Sequence, residues 1–202
     1  MSQTHTPSLQ MPSLAKWSVD DYHQMIDIGL LRDRQVELLN GDIVEMSPVG
    51  SLHEGRGDNV ADYLRERLGS RARVRENKAV TLSPTSEPEP DIAVVEYRDY
   101  TDHHPYPENI YLLIEIAKTS LTYDLEVKRP AYARAGIQEY WVLDIVDQRL
   151  YVFHSLSGKD VTADYQIEEV LNLAAEAPII RIQAFPDIEL SVGKMQQLGG
   201  QP

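Results

Sequence analysis

The stretch that decides the fold is PDIAVVEY (90–97), followed after a polar insert by IYLLIEIA (110–117) and then by LTYDLEVKRPAYARAG (121–136). The first two segments are apolar runs of strand length, and each carries one carboxylate near an end, Asp91 and Glu115. Because such runs normally form a buried sheet, an ionised side chain within them is costly unless it is paired or bound to a metal. The pattern therefore predicts an acidic site at the edge of a buried sheet.

The third segment predicts a helix that brings further polar side chains to that edge. Asp124, Lys128 and Tyr132 are spaced i, i+4 and i+8, which places them on one face of an α-helix. Pro130 lies inside this helix and removes the hydrogen bond to the carbonyl of Glu126, so we expect a kink or a helix that begins later. We expect the lysine and the tyrosine to meet the two carboxylates.

The flanking sequence supplies a hairpin and a second helix. In VELLNGDIVEMSP (36–48), the pair Asn40-Gly41 separates two strand-like halves, which is the strongest short hairpin signal. Glu37 lies in the first half with apolar neighbours. Residues 51–68 have helical spacing of apolar side chains, with His53 in the first turn or in the loop before it. Strands and helices together predict an α/β (α+β) fold.

Length and composition indicate one domain without thiol chemistry. The 202 residues are 42% hydrophobic, and we expect a leader (1–16), a single domain (17–192) and a tail (193–202). No apolar run of about 18 residues and no secretory signal is present, so we expect a cytoplasmic protein. Because the chain has no cysteine, oxygen and imidazole remain as metal ligands, which favours a hard cation such as Mg²⁺.

The charge distribution leaves two interpretations open. A net charge of −13 argues against a protein that coats nucleic acid non-specifically. The one dense basic region lies between Arg65 and Lys78, and in an extended segment Arg71, Arg73 and Arg75 would point the same way. This strip is either a solvated edge that resists aggregation or a surface that contacts phosphate.

The buried carboxylates also have two interpretations. Taken singly, Asp91 and Glu115 are each more typical of a strand-entry turn and of a solvated strand end. Together with Glu37, however, they are three carboxylates within or beside apolar strands of a domain that lacks thiols. Their charges would repel unless a metal neutralised them, so the combination favours a divalent-cation site.

These motifs resemble the PD-(D/E)XK nuclease superfamily and, within it, the Uma-two-type restriction endonuclease family. The likeness extends from about Trp17 to Phe153 and implies a restriction-endonuclease-like mixed central sheet flanked by helices. The matching segments are VELLNGDIVEMSP, Pro90-Asp91, LLIEIAKTS (112–120), the residues Asp124, Lys128 and Tyr132, and AGIQEYWVLD (135–144).

The sequence departs from the superfamily pattern at the lysine. Two residues after Glu115, where the superfamily carries lysine, this chain has Ala117. Lys118 is adjacent, but on a continuing strand it would point to the opposite face. The resembled family moves the lysine to the following helix, where Lys128 matches.

The resemblance implies metal-dependent hydrolysis of phosphodiester bonds in DNA, with Mg²⁺ (or Mn²⁺) as cofactor. Lys128 would orient the attacking water or offset charge on the phosphoryl group, and Tyr132 would assist by donating a hydrogen bond. His53 would contact phosphate or a carboxylate, or lie at the surface. The implied metal ligands are Asp91, Glu115, Glu37 and the backbone carbonyl of Ile116.

The sequence also allows two other functions. A catalytically inactive binding or assembly module with a nuclease fold is favoured by the acidic composition and by Ala117. A glycosidase is poorly supported, because its sugar cleft would be rich in aromatic residues and the chain has only two Trp.

We also expect a homodimer, because a double-strand cut needs two sites. Its only support in the sequence is a surplus of apolar residues such as Tyr140, Trp141 and Tyr151.

Overall fold

The core of the molecule is a mixed six-stranded sheet. The structure is a computed structural model, and it describes residues 14–46, 48, 50–158, 162–173 and 178–195. Its strands are β3 (Arg73–Glu76), β4 (Ile92–Val95), β5 (Ile110–Ala117), β6 (Glu139–Asp144), β7 (Arg149–Leu156) and β8 (Tyr165–Asn172). They follow the order β3-β4-β5-β6-β7-β8, and every neighbouring pair is antiparallel except β5 and β6. The predicted mixed sheet with helices is confirmed.

The central strands form because their sequences are apolar on both faces. All four residues of β4 and all six of β6 are buried, as is typical of strands covered by other elements on both sides. The parallel pair β5 and β6 needs a crossover connection, and a helical segment between Leu121 and Ala135 provides it. Antiparallel pairing sets Ile92 opposite Ile114, so the next position on each strand brings Asp91 opposite Glu115.

Each face of the sheet is covered by a different helix. On one face, Val60 and Leu64 of α2 (Ser51–Leu68) pack against a buried cluster that contains Ile92 and Ile114. On the other face, Tyr132 of the crossover packs into a second cluster. The two short strands β9 (Ile179–Ile180) and β10 (Leu190–Ser191) and the final helix α5 (Val192–Met195) complete the described chain.

The hairpin predicted from Asn40-Gly41 is present as β1 (Val36–Leu39) and β2 (Asp42–Glu45). Both turn residues have positive φ, 52° and 78°, which is the conformation of the tight hairpin turn that these residue types favour. A Cβ added to Gly41 would lie 2.7 Å from the Cβ of Lys16, so only glycine fits. The helix α1 (Val19–Asp27) covers the hairpin.

The crossover contains an unusual helical turn. It comprises α3 (Leu121–Tyr123), a π-helical turn (Asp124–Lys128) and α4 (Arg129–Ala135). The amide of Arg129 donates to the carbonyl of Asp124, five residues earlier. Because Pro130 has no N–H and its ring crowds the preceding turn, the widened turn accommodates it. The predicted disturbance at Pro130 is therefore a π turn, and the helix does not begin later.

The predicted alignment of three arginines is wrong for Arg71. That residue lies in a 3₁₀ turn (Gly69–Arg71) before β3, where its guanidinium pairs with Asp187 and lies over Phe185. Only Arg73 and Arg75 lie within β3, two positions apart, so these two side chains share a face. The chain turns before the strand begins, so the period-two pattern does not reach Arg71.

The apolar residues that supported a homodimer belong to the core. Tyr140 and Trp141 are each 0% exposed, and Tyr151 is half-buried. Their apolar surface is buried within the subunit, so the prediction that these residues form a dimer interface is wrong. The homodimer itself stays a prediction.

The predicted chain ends lie mostly outside the described residues. Residues 1–13 of the leader and 196–202 of the tail are not described, whereas Lys16, assigned to the leader, pairs with Asp42 at 2.5 Å. Within the described residues, no helix has the length and apolar character needed to cross a membrane.

Glu139 is a buried carboxyl that makes stability depend on pH. Its oxygens accept hydrogen bonds from the Trp141 indole and the Gln183 amide, but burial outweighs both bonds and raises its pKa to about 7. Between pH 4.5 and 7 the unfolded chain releases this proton while the folded chain keeps it, so the free energy of unfolding falls as pH rises. We expect wild type to lose about 3 kcal/mol relative to Glu139→Gln between pH 4 and pH 8. Urea unfolding at both pH values measures this, and an unchanged difference contradicts it.

Candidate active site

Asp91 and Glu115 lie side by side on neighbouring strands. Directly opposed residues of an antiparallel pair project to the same face, and the register therefore brings both side chains to the face that the crossover covers. Asp91 Oδ2 accepts a hydrogen bond from the Ile116 backbone amide at 2.6 Å, which fixes the carboxylate directly before the start of β4. Glu115 is 3% exposed. The structure thus brings together the two acids that the sequence singled out.

Lys128 reaches this pair from the π turn. Its Nζ lies 3.0 Å from Glu115 Oε1 and 3.5 Å from Glu37 Oε2, and the residue is 6% exposed. Burial alone would lower the pKa of Lys128, but the carboxylates of Glu115, Glu37 and Asp124 raise it above its usual value. The buried amine therefore stays a charged ammonium ion between two carboxylates.

Glu37 enters the site from the first strand of the hairpin. It is 1% exposed, and its Oε2 accepts a hydrogen bond from the Glu89 amide at 3.1 Å. The same hairpin is joined to the segment before β4 by the pairing of Leu38 with Glu87. The hairpin is thus held where Glu37 meets Lys128.

Two tyrosines donate to the buried carboxylates. The hydroxyl of Tyr132 donates to Glu115 Oε1 at 2.7 Å, and that of Tyr123 donates to Glu37 Oε1 at 3.5 Å. Burial, together with these carboxylates, raises the pKa of both tyrosines, so both remain protonated donors. Tyr132 is fully buried, so it positions Glu115 and has no surface for a substrate.

His53 contacts a carboxylate, which is one of the interpretations the sequence left open. It lies in the first turn of α2, and its Nε2 is 3.3 Å from Asp91 Oδ2. The hydrogen bond to Asp91 raises the pKa of His53, and the backbone of Ile116 contributes in the same direction. The imidazole therefore stands beside two of the expected metal ligands.

Asp124 is a fourth acid that the sequence placed near Lys128 without assigning it to the site. It is 2% exposed and accepts a hydrogen bond from the Ser120 hydroxyl at 2.7 Å. Burial raises the pKa of Asp124 to about 6, although Lys128 and Ser120 both lower it. Its spacing of four residues from Lys128 was the signal that could have identified it.

A cavity of about 560 Å³ opens onto this cluster, and we call it the catalytic cavity. It is lined by Asp91, Glu115, Lys128 and His53, and also by Lys118. The expectation that Lys118 points to the opposite face is wrong, because β5 ends at Ala117 and the strand alternation does not extend to Lys118. None of the three arginines predicted to contact nucleic acid, Arg71, Arg73 and Arg75, lines this cavity.

The donor set fits a hard divalent cation in its chemistry. Three carboxyl groups, those of Glu115, Glu37 and Asp124, act on the buried ammonium ion of Lys128, and Asp91 stands beside Glu115. Burial and the like charges of the other acids raise the pKa of Glu115 well above its usual range, although Lys128 lowers it. A divalent cation would offset this excess of negative charge. Among the described residues, no three acidic or histidine side chains stand close enough to enclose an ion by themselves. Mg²⁺ does not require such a cage, because it keeps several waters and is held by one or two carboxylates and the substrate phosphate.

The sheet and the cluster of acids and lysine at its edge define the class of the protein, which has the restriction-endonuclease-like nuclease fold. Within this class, the chain belongs to the Uma2 family, whose description is “Putative restriction endonuclease” and whose model matches residues 19–193.

A solved structure has the same fold. It is the crystal structure of a “putative nuclease belonging to DUF820” from Anabaena variabilis, to which the chain is 15% identical with a TM-score of 0.67. The match covers 88% of this chain and 96% of the other. No curated protein matches the chain.

Proposed function

We propose that this protein is a metal-dependent endonuclease that hydrolyses phosphodiester bonds in DNA. The observation that carries the proposal is the convergence of Asp91, Glu115 and Lys128 at one cavity, from three separate elements. Membership of a restriction endonuclease family supports DNA as the substrate class. The fold alone does not carry this conclusion, because one fold hosts many functions.

The proposed metal site comprises Asp91, Glu115 and the backbone carbonyl of Ile116, with Glu37 behind them. A bound Mg²⁺ or Mn²⁺ would polarise the scissile phosphate and lower the pKa of a water molecule. Asp91 is held by the Ile116 amide, and Glu115 is held by Lys128 and Tyr132. The protein thus orients its carboxylates before substrate arrives, which lowers the cost of reorganisation during the reaction.

The two lysines of the catalytic cavity have different roles in this proposal. Lys128 forms ion pairs with Glu37 and Glu115, so its ammonium group holds these two carboxylates together. Lys118 lines the same cavity but is exposed, so its ammonium group is available to a phosphate oxygen. Charge stabilisation of the phosphoryl group is therefore assigned to Lys118 and orientation of the metal ligands to Lys128.

Incubation with supercoiled plasmid tests the function directly. With Mg²⁺ or Mn²⁺ the wild-type protein should nick or linearise the plasmid, and EDTA should stop the reaction because the carboxylates alone cannot activate water.

Analytical ultracentrifugation of the same sample tests the homodimer, which we propose because two sites would cut both strands.

Intact plasmid at every metal concentration would overturn the nuclease proposal. A binding or assembly module with a nuclease fold would then be the better account, and Ala117 at the usual lysine position favours it. Titration with Mn²⁺ separates the two functions further, because only a metal-dependent nuclease requires affinity for the ion that depends on Asp91 and Glu115.

A further inference from the structure

A second and larger cavity adjoins the catalytic cavity. It has a volume of about 940 Å³ and is lined by Arg73 and Arg75 of β3 and by Lys78 of the turn that follows, and we call it the basic cavity. Glu89 lines both the basic cavity and the catalytic cavity, so the two are neighbours.

Of the four Lys and Arg residues that line the basic cavity, only Arg65 forms an ion pair among the described residues. Among the described residues, no carboxylate lies within ion-pair distance of Arg73, Arg75 or Lys78, whereas Arg65 and Arg71 on the same stretch are both paired. Arg73 and Arg75 donate instead to backbone carbonyls, those of Arg98 and Ala79. In a chain of net charge −13, three cations at one cavity without carboxylate partners are available to an anionic ligand.

The cavity is also lined by five acids, Asp27, Glu76, Glu87, Glu89 and Asp99, and two of them are held by other protein groups. Glu76 accepts from Arg65, and Glu87 accepts from His23 and from the Thr81 hydroxyl. The carboxylates of Glu76 and Glu87 are therefore already hydrogen-bonded within the protein. Asp99 and Glu89 interact electrostatically with Arg73 and Lys78, respectively, so Arg75 is the cation that the acids of this cavity offset least.

Arg75 is the best-oriented of the three cations. It is half-buried, its guanidinium lies 5.4 Å from the centre of the Tyr100 ring, and burial lowers its pKa. One hydrogen bond to Ala79 uses only part of its five donors. A guanidinium that lies over an aromatic ring and keeps free N–H donors can make the two-pronged contact that phosphate oxygens accept.

The strand register aligns these cations with the catalytic carboxylates. Arg73 and Arg75 pair with Val95 and Ala93, and Asp91 lies two positions beyond Ala93 on the same face. Alternate residues of a strand are roughly 7 Å apart. A chain of phosphates that leads away from Asp91 would therefore pass Arg75 first and Arg73 next.

We propose that the basic cavity binds the phosphate backbone of a nucleic-acid strand beside the bond that is cleaved. The proposal rests on the proposed nuclease function and names the part of the surface that holds the substrate. Arg75 makes the principal phosphate contact, with Arg73 and Lys78 on either side. Arg71 has no part in it, because it is paired with Asp187 away from this cavity.

The experiment measures DNA binding by the full-length protein without metal, so that cleavage does not enter. Anisotropy of a 5′-labelled single-stranded oligonucleotide and of its duplex is recorded over a range of salt concentrations. We expect Arg75→Ala to weaken binding about tenfold, the size of one charge-assisted hydrogen bond. We also expect the slope of log affinity against log salt to fall by about 0.7 for the single strand or 0.9 for the duplex. Lys78→Ala, at an exposed position, should weaken binding severalfold without affecting the fold.

Arg71→Ala is the matched control, and its affinity and salt slope should equal those of wild type. If Arg75→Ala and Lys78→Ala also equal wild type, the basic cavity does not hold DNA. A mononucleotide that displaces the oligonucleotide at equal phosphate concentration would show a small-anion site and would also overturn the proposal. The two proposals can be contradicted separately. DNA binding that depends on Arg75, without plasmid cleavage, would contradict only the nuclease function. Plasmid cleavage by Arg75→Ala with wild-type kinetics would contradict only the proposed DNA binding at the basic cavity.

Discussion

Replacing Asp91 with alanine should reduce plasmid cleavage by more than about a hundredfold, because loss of even the groups that support a metal ligand costs 10- to 100-fold. Asp91 is the most exposed of the three proposed carboxylate ligands, and its position is fixed by the Ile116 amide. The same variant should lose affinity for Mn²⁺ in a calorimetric titration. Loss of both quantities together is the signature of a metal ligand.

The control for Asp91→Ala is Asp62→Asn, which removes a carboxylate from the exposed side of α2. It should leave both cleavage and Mn²⁺ affinity unchanged, since surface charges away from a site have small effects. Circular dichroism of Asp91→Ala checks that the sheet has formed. Unaltered cleavage by a folded Asp91→Ala protein would rule out the proposed site.

The acids of the site could be located from the sequence because their positions follow from strand periodicity. Asp91 and Glu115 stand at the ends of two apolar runs, and antiparallel pairing of those runs brings the acids together. Lys128 was found from its helical spacing, and the π turn shifts the backbone without moving it off the site. Local periodicity thus sufficed wherever a residue lay inside a regular element.

Residues outside regular elements could not be placed in this way. Lys118 was expected on the wrong face and Arg71 on the wrong strip, because the alternation of a strand was extended past the point where the strand ends. The contact of His53 with Asp91 depends on how α2 packs against the sheet edge, which no local pattern encodes. Similarly, Tyr123 reaches Glu37 only because the hairpin folds against the crossover.

The geometry around Lys128 separates its structural role from its chemical one. A lysine that contacted substrate would need an open ammonium group, whereas this one is buried against Glu115 and Glu37. Removing it would leave two carboxylates close together in a site from which water is largely excluded. Stability is therefore the property that a substitution of Lys128 should change first.

Lys128→Ala should lower the free energy of unfolding by about 3–5 kcal/mol in EDTA, the usual cost of breaking a buried ion pair from one side. Urea denaturation measures this. The matched control is Lys118→Ala, which removes an exposed lysine from the same cavity and should shift stability by no more than about 0.5 kcal/mol. The double variant Glu115→Gln/Lys128→Ala should recover part of the loss, because it removes one of the carboxylates left unpaired.

Divalent metal gives the same variant a second readout. Mn²⁺ should stabilise Lys128→Ala more than wild type, since a cation bound by Asp91 and Glu115 would replace the missing ammonium charge. If Lys128→Ala unfolds at the wild-type urea concentration, the buried ammonium does not hold the carboxylates together. If it is destabilised but gains no more from Mn²⁺ than wild type does, the carboxylates form an ion-pair network and not a metal site, and the hydrolytic mechanism loses its basis.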